Sequence, residues 1–352
     1  MLAGFHGQTV PVELRSLARE FDLGGVILVG RNVAEPAQVA DLARQVQELS
    51  RTAPPWVAIE QEGGPAQCLQ APLTTWPAFA TLGRADDLGL TRSFGRALAR
   101  ELRAMGITYN LAPVLDVRTR ARDAAIGDRA LSDEPAVVAR HGVAFIEALR
   151  QEGLPACAKH FPGHGDAPAD SRDATPVIDL PPDRFEHVEW VPFKAAIDAR
   201  VDAVMACHVV VPSLDEQHPA TLSREVITSR LRGQLAHGGV VFTDDMDLPS
   251  ISTHLGPAEA AIAALAAGCD GILHGGGDVG RVFAALEGIV RALEDESLRG
   301  TRVDEALKRQ FALKTRYLSS DAQRLAPGRP TLREVIGSAE HAAVAERMRQ
   351  FA

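Results

Sequence analysis

The sequence predicts a single-domain (β/α)8 barrel of the TIM type, an α/β fold, carrying extra C-terminal helices. Two patterns predict it. Short apolar runs alternate with longer amphipathic ones almost from end to end, the signature of a parallel sheet covered by helices. Polar residues collect where the strand-like runs end: Glu60 and Glu62, Asn110 and Asp116, Lys159 and His160, His208, Asp244 and Asp245, and His274. In a closed barrel the carboxyl ends of the strands form one face, which carries the active site; in an open sheet the same residues would spread along an edge.

The elements follow in order. Residues 1–5 read as a short first strand, and the later strand-like runs are 25–29, 56–59, 108–114, 156–160, 203–211, 239–243 and 271–273. Helical patterns fill the gaps over 36–49, 91–105, 135–151, 185–200, 224–235 and 257–267. Their ends carry the expected punctuation, with Glu35-Pro36 and Glu134-Pro135 at starts and Gly106, Gly153 and Gly268 at stops. Counting the first strand gives about eight βα units. The barrel is assigned to residues 1–277, and 278–352 to helices packed on it, with patterns over 279–294, 303–317 and 332–349.

Composition narrows the function classes. The 352 residues are 46% hydrophobic and 24% charged, enough apolar material for a large core. A net charge of -9 with no offsetting Lys/Arg-rich run argues against a nucleic-acid surface. No apolar stretch approaches the ~18 residues of a membrane span, and the first residues lack the charged and apolar regions of a leader. The four cysteines, Cys68, Cys157, Cys207 and Cys269, show no CxxC spacing, and three sit in apolar strand-like runs. They read as reduced core residues of a cytoplasmic protein, which is expected to act as a monomer without membrane partners.

Three segments carry the chemistry. Val240-Val241-Phe242-Thr243-Asp244-Asp245 runs a β-branched strand into two adjacent carboxylates. Successive strand residues point to opposite sides, so only one of the two faces the barrel axis. A carboxylate there caps the next helix, accepts loop amides, or serves as nucleophile, base or metal ligand. In Lys159-His160-Phe161-Pro162-Gly163-His164-Gly165, Pro162 and Gly163 stop any helix, so the two histidines do not form the i, i+4 pair of a zinc site. No Cys or Glu completes a ligand set, and no metal is expected. A lysine ending a buried strand needs carboxylates, carbonyls or substrate hydroxyls around it. Lys159 beside His160 thus suggests either a site for oxygen-rich ligands or a buried ion pair. Glu60-Gln61-Glu62-Gly63-Gly64 ends another strand with two carboxylates and a flexible turn, and it matches no phosphate-loop pattern. Arg129, in a long loop, is a clamp on that loop or a substrate contact.

At these residues the chain resembles the family 3 glycoside hydrolases, in particular the bacterial β-N-acetylglucosaminidases (β-N-acetylhexosaminidases) of cell-wall recycling. The resemblance runs from Gly24 to about Gly271 and rests on the Glu60–Gly64 segment, Asn110-Leu111-Ala112-Pro113-Val114-Leu115-Asp116-Val117, Ile126-Gly127-Asp128-Arg129, the Lys159–Gly165 block and Thr243-Asp244-Asp245-Met246. It implies a (β/α)8 barrel, no metal, no organic cofactor, and a carbohydrate or cell-wall-fragment substrate. It further implies retaining hydrolysis through a covalent glycosyl-enzyme, with the nucleophile at Asp244. Sugar contacts carry over to Arg129, Lys159 and His160, with Glu60 at the position of the family's aspartate.

The resemblance also marks departures. The family uses a histidine as acid/base, held by an aspartate two residues before it in an Asp-Ser-His triplet. Here the triplet reads Asp170-Ser171-Arg172. A guanidinium stays charged at any working pH, so Arg172 does not shuttle the proton. Pro65 and Cys68 stand where the family pattern has arginines. The expectation is a glycosidase weakened by its missing donor; the alternative is an inactive descendant that binds a sugar or cell-wall fragment.

Overall fold

The computed structural model describes residues 1–50, 52–120, 125–319 and 328–352. At its centre are eight parallel strands: β1 (Leu2–Ala3), β2 (Gly25–Leu28), β3 (Trp56–Ile59), β4 (Tyr109–Asn110), β5 (Cys157–Phe161), β6 (Ala203–Ala206), β7 (Val240–Asp245) and β8 (Gly271–His274). Their order around the sheet is β4-β3-β2-β1-β8-β7-β6-β5. Parallel bridges from Asn110 to Ala156 and from Val114 to Lys159 bring the two ends of that order together. The chain is a (β/α)8 barrel, as the alternation predicts.

The period-two pattern of each strand sorts its side chains into two layers. Ile27, Trp56, Ala58, Cys157, Ala203, Met205, Val240 and Phe242 fill the barrel interior, whereas Val26, Val57, Ile59, Ala158, Val204 and Val241 face the surrounding helices. Continuing the inward parity past the hydrophobic layers reaches Glu60 on β3, Lys159 on β5 and Asp244 on β7. The interior is therefore apolar below and polar above, along the same strands.

Three elements differ from the sequence reading. The run 108–114 is ladder-paired to β3 only through Tyr109 and Asn110. Pro113 has no N–H to give, and the carbonyls of Ala112 and Pro113 instead accept the amides of Cys157 (2.9 Å) and Lys159 (3.0 Å). The run 203–211 leaves the barrel after Ala206, since Val210 turns aside to pair with Val177. Helix Glu225–Gln234 is wound as a π-helix.

Helix Val279–Glu294 follows β8 and packs against helices Pro257–Ala267 and Val12–Phe21. Helix Gly300–Leu318 crosses beneath the barrel. Its Arg302 and Arg309 hold Asp270 at 2.6 and 3.1 Å, while Arg316 and Tyr317 hold Asp202 at 3.1 and 2.9 Å. Leu313 and Leu318 join Trp56 and Phe242 in the interior cluster and close the lower mouth. No described helix is long and apolar enough to cross a membrane.

Candidate active site

The upper ends of the strands surround a cavity of about 890 Å³ whose walls include Glu60, Arg129, His160, His164, Asp170, Arg172, Asp244 and Asp245. Every candidate site residue except Lys159 lines it, and Lys159 lies fully buried just beneath, bonded to Glu60.

Glu62 is the hub of the floor. Its carboxylate takes Lys159 Nζ at 2.7 Å and a two-pronged contact from Arg129, Nε and Nη2 each at 2.9 Å. Lys159 Nζ also donates to Glu60 Oε1 at 2.9 Å. Burial alone would raise the Glu62 carboxyl, but Arg129 and Lys159 overcome it and hold it well below the usual carboxylate range. Burial likewise works against the Lys159 ammonium, and Glu60 and Glu62 hold its pKa above the usual lysine value. Lys159 therefore sits in a buried ion pair, the second of its two readings, and is tied to the cavity wall through Glu60. Glu62 organises this cluster, and its role was not assigned from sequence; the close Glu60-x-Glu62 spacing after a strand was the available signal.

The turn above β3 is shaped by glycine. Gly63 has φ +92°, and a Cβ there would meet the Pro77 carbonyl at 2.5 Å. That turn carries Pro65 and Cys68 into the cavity wall. Neither side chain brings a cation, and Gln67 and Gln70 line the same stretch of wall.

His160 is held by Asp116. One carboxylate oxygen accepts the backbone amides of His160 (3.2 Å) and His164 (2.7 Å), and the other pairs with His160 Nδ1 at 2.7 Å. Burial raises the Asp116 carboxyl, yet His160 and His164 bring it below its ordinary value. A carboxylate on Nδ1 leaves His160 Nε2 as the nitrogen available to a ligand. Gly165 lets this loop sit on the backbone of the preceding unit, because a Cβ there would lie 2.0 Å from the Val117 carbonyl.

Asp244 accepts a hydrogen bond from the Asp245 amide at 2.7 Å, and no cation forms a salt bridge with it among the described residues. Burial favours its neutral form, but the imidazoles of His208 and His160 outweigh that and bring the carboxyl below its usual value. It is an ionised carboxylate facing an open cavity. His208 stays beneath: its Nε2 meets the Asp245 carbonyl at 3.0 Å and its Nδ1 the Thr221 hydroxyl at 2.8 Å.

Asp245 points the other way and serves the loop after β8. Its Oδ1 accepts the amides of Gly275 (2.8 Å) and Asp247 (3.0 Å), while Asp247 pairs with His274 (2.9 Å) and Arg281 (2.6 Å). The two aspartates are pushed in opposite directions. Burial lifts Asp245 to about 6, whereas Asp247, despite burial, is brought down to about 2 by His274 and Arg281. Stability contributed by Asp247 is present above its ordinary 3.8 and is lost as pH falls from there through about 2. Asp245 acts oppositely: folding weakens as pH rises from 3.8 through about 6. At pH 7, Asp245→Asn should therefore raise the thermal midpoint, and Asp247→Asn should lower it, each by roughly 1–3 kcal/mol of stability. Equal shifts of the same sign would refute this division.

Arg172 turns away from Asp244. Its backbone N–H and Nε donate to Asp170 at 2.9 and 2.8 Å, and Asp170 is correspondingly held below its usual value against the effect of burial. Asp170 thus holds the guanidinium two residues further along the chain. Among the described residues no group of three or more His, Cys, Asp or Glu is arranged to bind a metal ion.

Comparison with known proteins identifies the family. The glycosyl hydrolase family 3 N-terminal domain matches residues 8–313. Beta-hexosaminidase A of Pseudoalteromonas piscicida is 31% identical over 89% of this chain, and the match spans 57% of that protein's length. A beta-hexosaminidase of Thiobacillus denitrificans is 38% identical over 70% of each chain. A glycoside hydrolase family 3 β-N-acetylglucosaminidase from Paenibacillus superposes over 99% of this chain and 66% of its own, with a TM-score of 0.92 and 35% identity. With the family domain matched over most of its length and its barrel superposing on a solved member, the chain belongs to glycosyl hydrolase family 3.

Proposed function

We propose that the protein is a retaining glycosidase that releases β-linked N-acetylhexosamine or a related sugar, with Asp244 as nucleophile. The observation that carries this reading is an ionised Asp244, free of any cationic partner among the described residues, on the inward face of β7. Lys159, His160, Arg129 and Glu60 serve as the sugar's hydrogen-bonding partners or set the groups that do. Asp244 attacks the anomeric carbon, the glycosidic oxygen leaves with a proton, and water then releases the sugar from the enzyme. The names of the relatives support the N-acetylhexosamine class.

Hydrolysis is favoured over sugar binding alone by where Arg172 lies. Paired with Asp244 it would neutralise the nucleophile; paired with Asp170 it leaves the nucleophile available. Asp170 then has no imidazole to hold, which makes the enzyme weak rather than silent. The neutral wall at Pro65 and Cys68 suits an uncharged aglycone. The unpaired thiols of Cys157, Cys207 and Cys269 suit a reducing, cytoplasmic setting.

The test is turnover of aryl N-acetyl-β-glucosaminides by the wild type and by Arg172→His. The wild type should hydrolyse those with the most acidic leaving groups. Arg172→His should raise kcat/KM for poor leaving groups by ~10²-fold or more, with far less gain for activated ones. No wild-type turnover of even the best leaving group would sink the hydrolase reading in favour of binding.

A further inference from the structure

Once Arg172 has taken Asp170, the proton must come from another wall of the cavity. Asp170 is itself committed, with both oxygens engaged by Arg172. Asp166 accepts from Thr119 Oγ1 at 2.6 Å, and neither it nor the exposed Asp173 lines the cavity. Asp245 lines it, but its Oδ1 is bound by two backbone amides and its side chain is on the opposite face of β7 from Asp244.

His164 is different. It lines the same cavity as Asp244 and is only 2% exposed, and its Nδ1 is buried with no hydrogen-bond partner. Burying an imidazole nitrogen without a partner costs free energy, and a group kept in that condition beside a reacting centre is available for exchange with a ligand. The loop is pinned at its backbone, where the His164 amide donates to Asp116 at 2.7 Å, so the ring is positioned while its Nδ1 has no hydrogen-bond partner among the described residues. Its ring lies 6.0 Å from that of His160, the histidine Asp116 orients.

We infer that His164 is the acid/base of this chain, doing from the wall of the cavity what an imidazole on the 166–173 loop does elsewhere in the family. The inference rests on Asp244 being the nucleophile. In the first step the bond between the anomeric carbon and the glycosidic oxygen breaks as Asp244 bonds to that carbon, and the departing oxygen takes the proton of the His164 imidazolium. In the second, neutral His164 takes a proton from water as its oxygen bonds to the anomeric carbon, and Asp244 leaves as a carboxylate. Asp116, Asp170 and Asp244 face this imidazole, as do His160 and His208. Burial is the largest influence and keeps it less basic than a free histidine, so the donor form is lost below neutral pH. Turnover of poor leaving groups should accordingly fall as pH rises towards neutral.

The experiment uses the full chain and aryl N-acetyl-β-glucosaminides graded by leaving-group acidity, with His164→Gln, His164→Ala, Asp245→Asn and Asp244→Ala beside the wild type. Comparing substrates within one variant cancels any difference in folded fraction. Both His164 variants should lose ~10²–10⁴-fold on poor leaving groups, with much less loss on the most acidic. They should also lose the alkaline limb of kcat/KM, and added azide should restore turnover while forming the glycosyl azide. A uniform loss across leaving groups, or a retained alkaline limb, overturns the inference. Disappearance of that limb in Asp245→Asn instead would overturn it in favour of Asp245. If Asp244→Ala is inactive while His164→Gln matches the wild type, only the assignment of His164 fails; if Asp244→Ala turns over like the wild type, the reading of the whole site fails.

Discussion

Asp244→Ala should lower kcat/KM on the best aryl N-acetyl-β-glucosaminide by ~10⁴-fold or more, the scale seen when a nucleophile that works as part of a unit is removed. That corresponds to about 5.5 kcal/mol of transition-state stabilisation. The loss is expected because nothing else in the cavity can take over. Asp245 is turned towards the amides of Gly275 and Asp247, and Asp170 is bound to Arg172. A fluorosugar whose glycosyl-enzyme accumulates should add its mass to the peptide carrying Asp244. Activity in Asp244→Ala within tenfold of the wild type, or a label found elsewhere, would remove Asp244 from the chemistry.

The second large effect is on folding. Glu62→Ala removes the carboxylate shared by Lys159 and Arg129, leaving Arg129, 17% exposed, without its ion-pair partner and the fully buried Lys159 with Glu60 alone. Breaking such a buried arrangement from one side costs about 3–5 kcal/mol, because the remaining charges are left without compensation. For a chain of this size that lowers the thermal midpoint by roughly 4–7 °C. Replacing all three residues with apolar ones of similar volume should recover much of the stability while leaving no sugar site. A calorimetric scan distinguishes these outcomes, and a loss below about 1 kcal/mol for Glu62→Ala would show that the cluster is solvated rather than buried.

Much of this was legible in the sequence, for identifiable reasons. The barrel was, because βα alternation and the collection of polar residues at strand ends are local patterns with one common explanation. The side facing the axis was half legible. Strand alternation says that one of Asp244 and Asp245 points inward, but choosing between them needs the register, which Val240 and Phe242 fix only once they are seen in the interior cluster. Lys159 was recognised as needing partners, yet its closest partner, Glu62, is nearly a hundred residues away and follows a turn whose path depends on Gly63. The direction of Arg172 was beyond sequence altogether. Asp170 and Asp244 were both available carboxylates, and only the bond from Arg172 Nε to Asp170 shows which one the guanidinium meets.

Helix Gly300–Leu318, which shuts the lower mouth of the barrel, also constrains the traffic of the reaction. Sugar, leaving group and water must all pass through the same upper opening. In the proposed mechanism the departing group has to clear it before an acceptor can reach the glycosyl-enzyme, and whatever stands there next takes the sugar. Water wins in dilute solution. In a concentrated alcohol or sugar solution the newcomer has the same access, so the closed base makes transfer to another hydroxyl an intrinsic competitor of hydrolysis, governed by what crowds a single doorway.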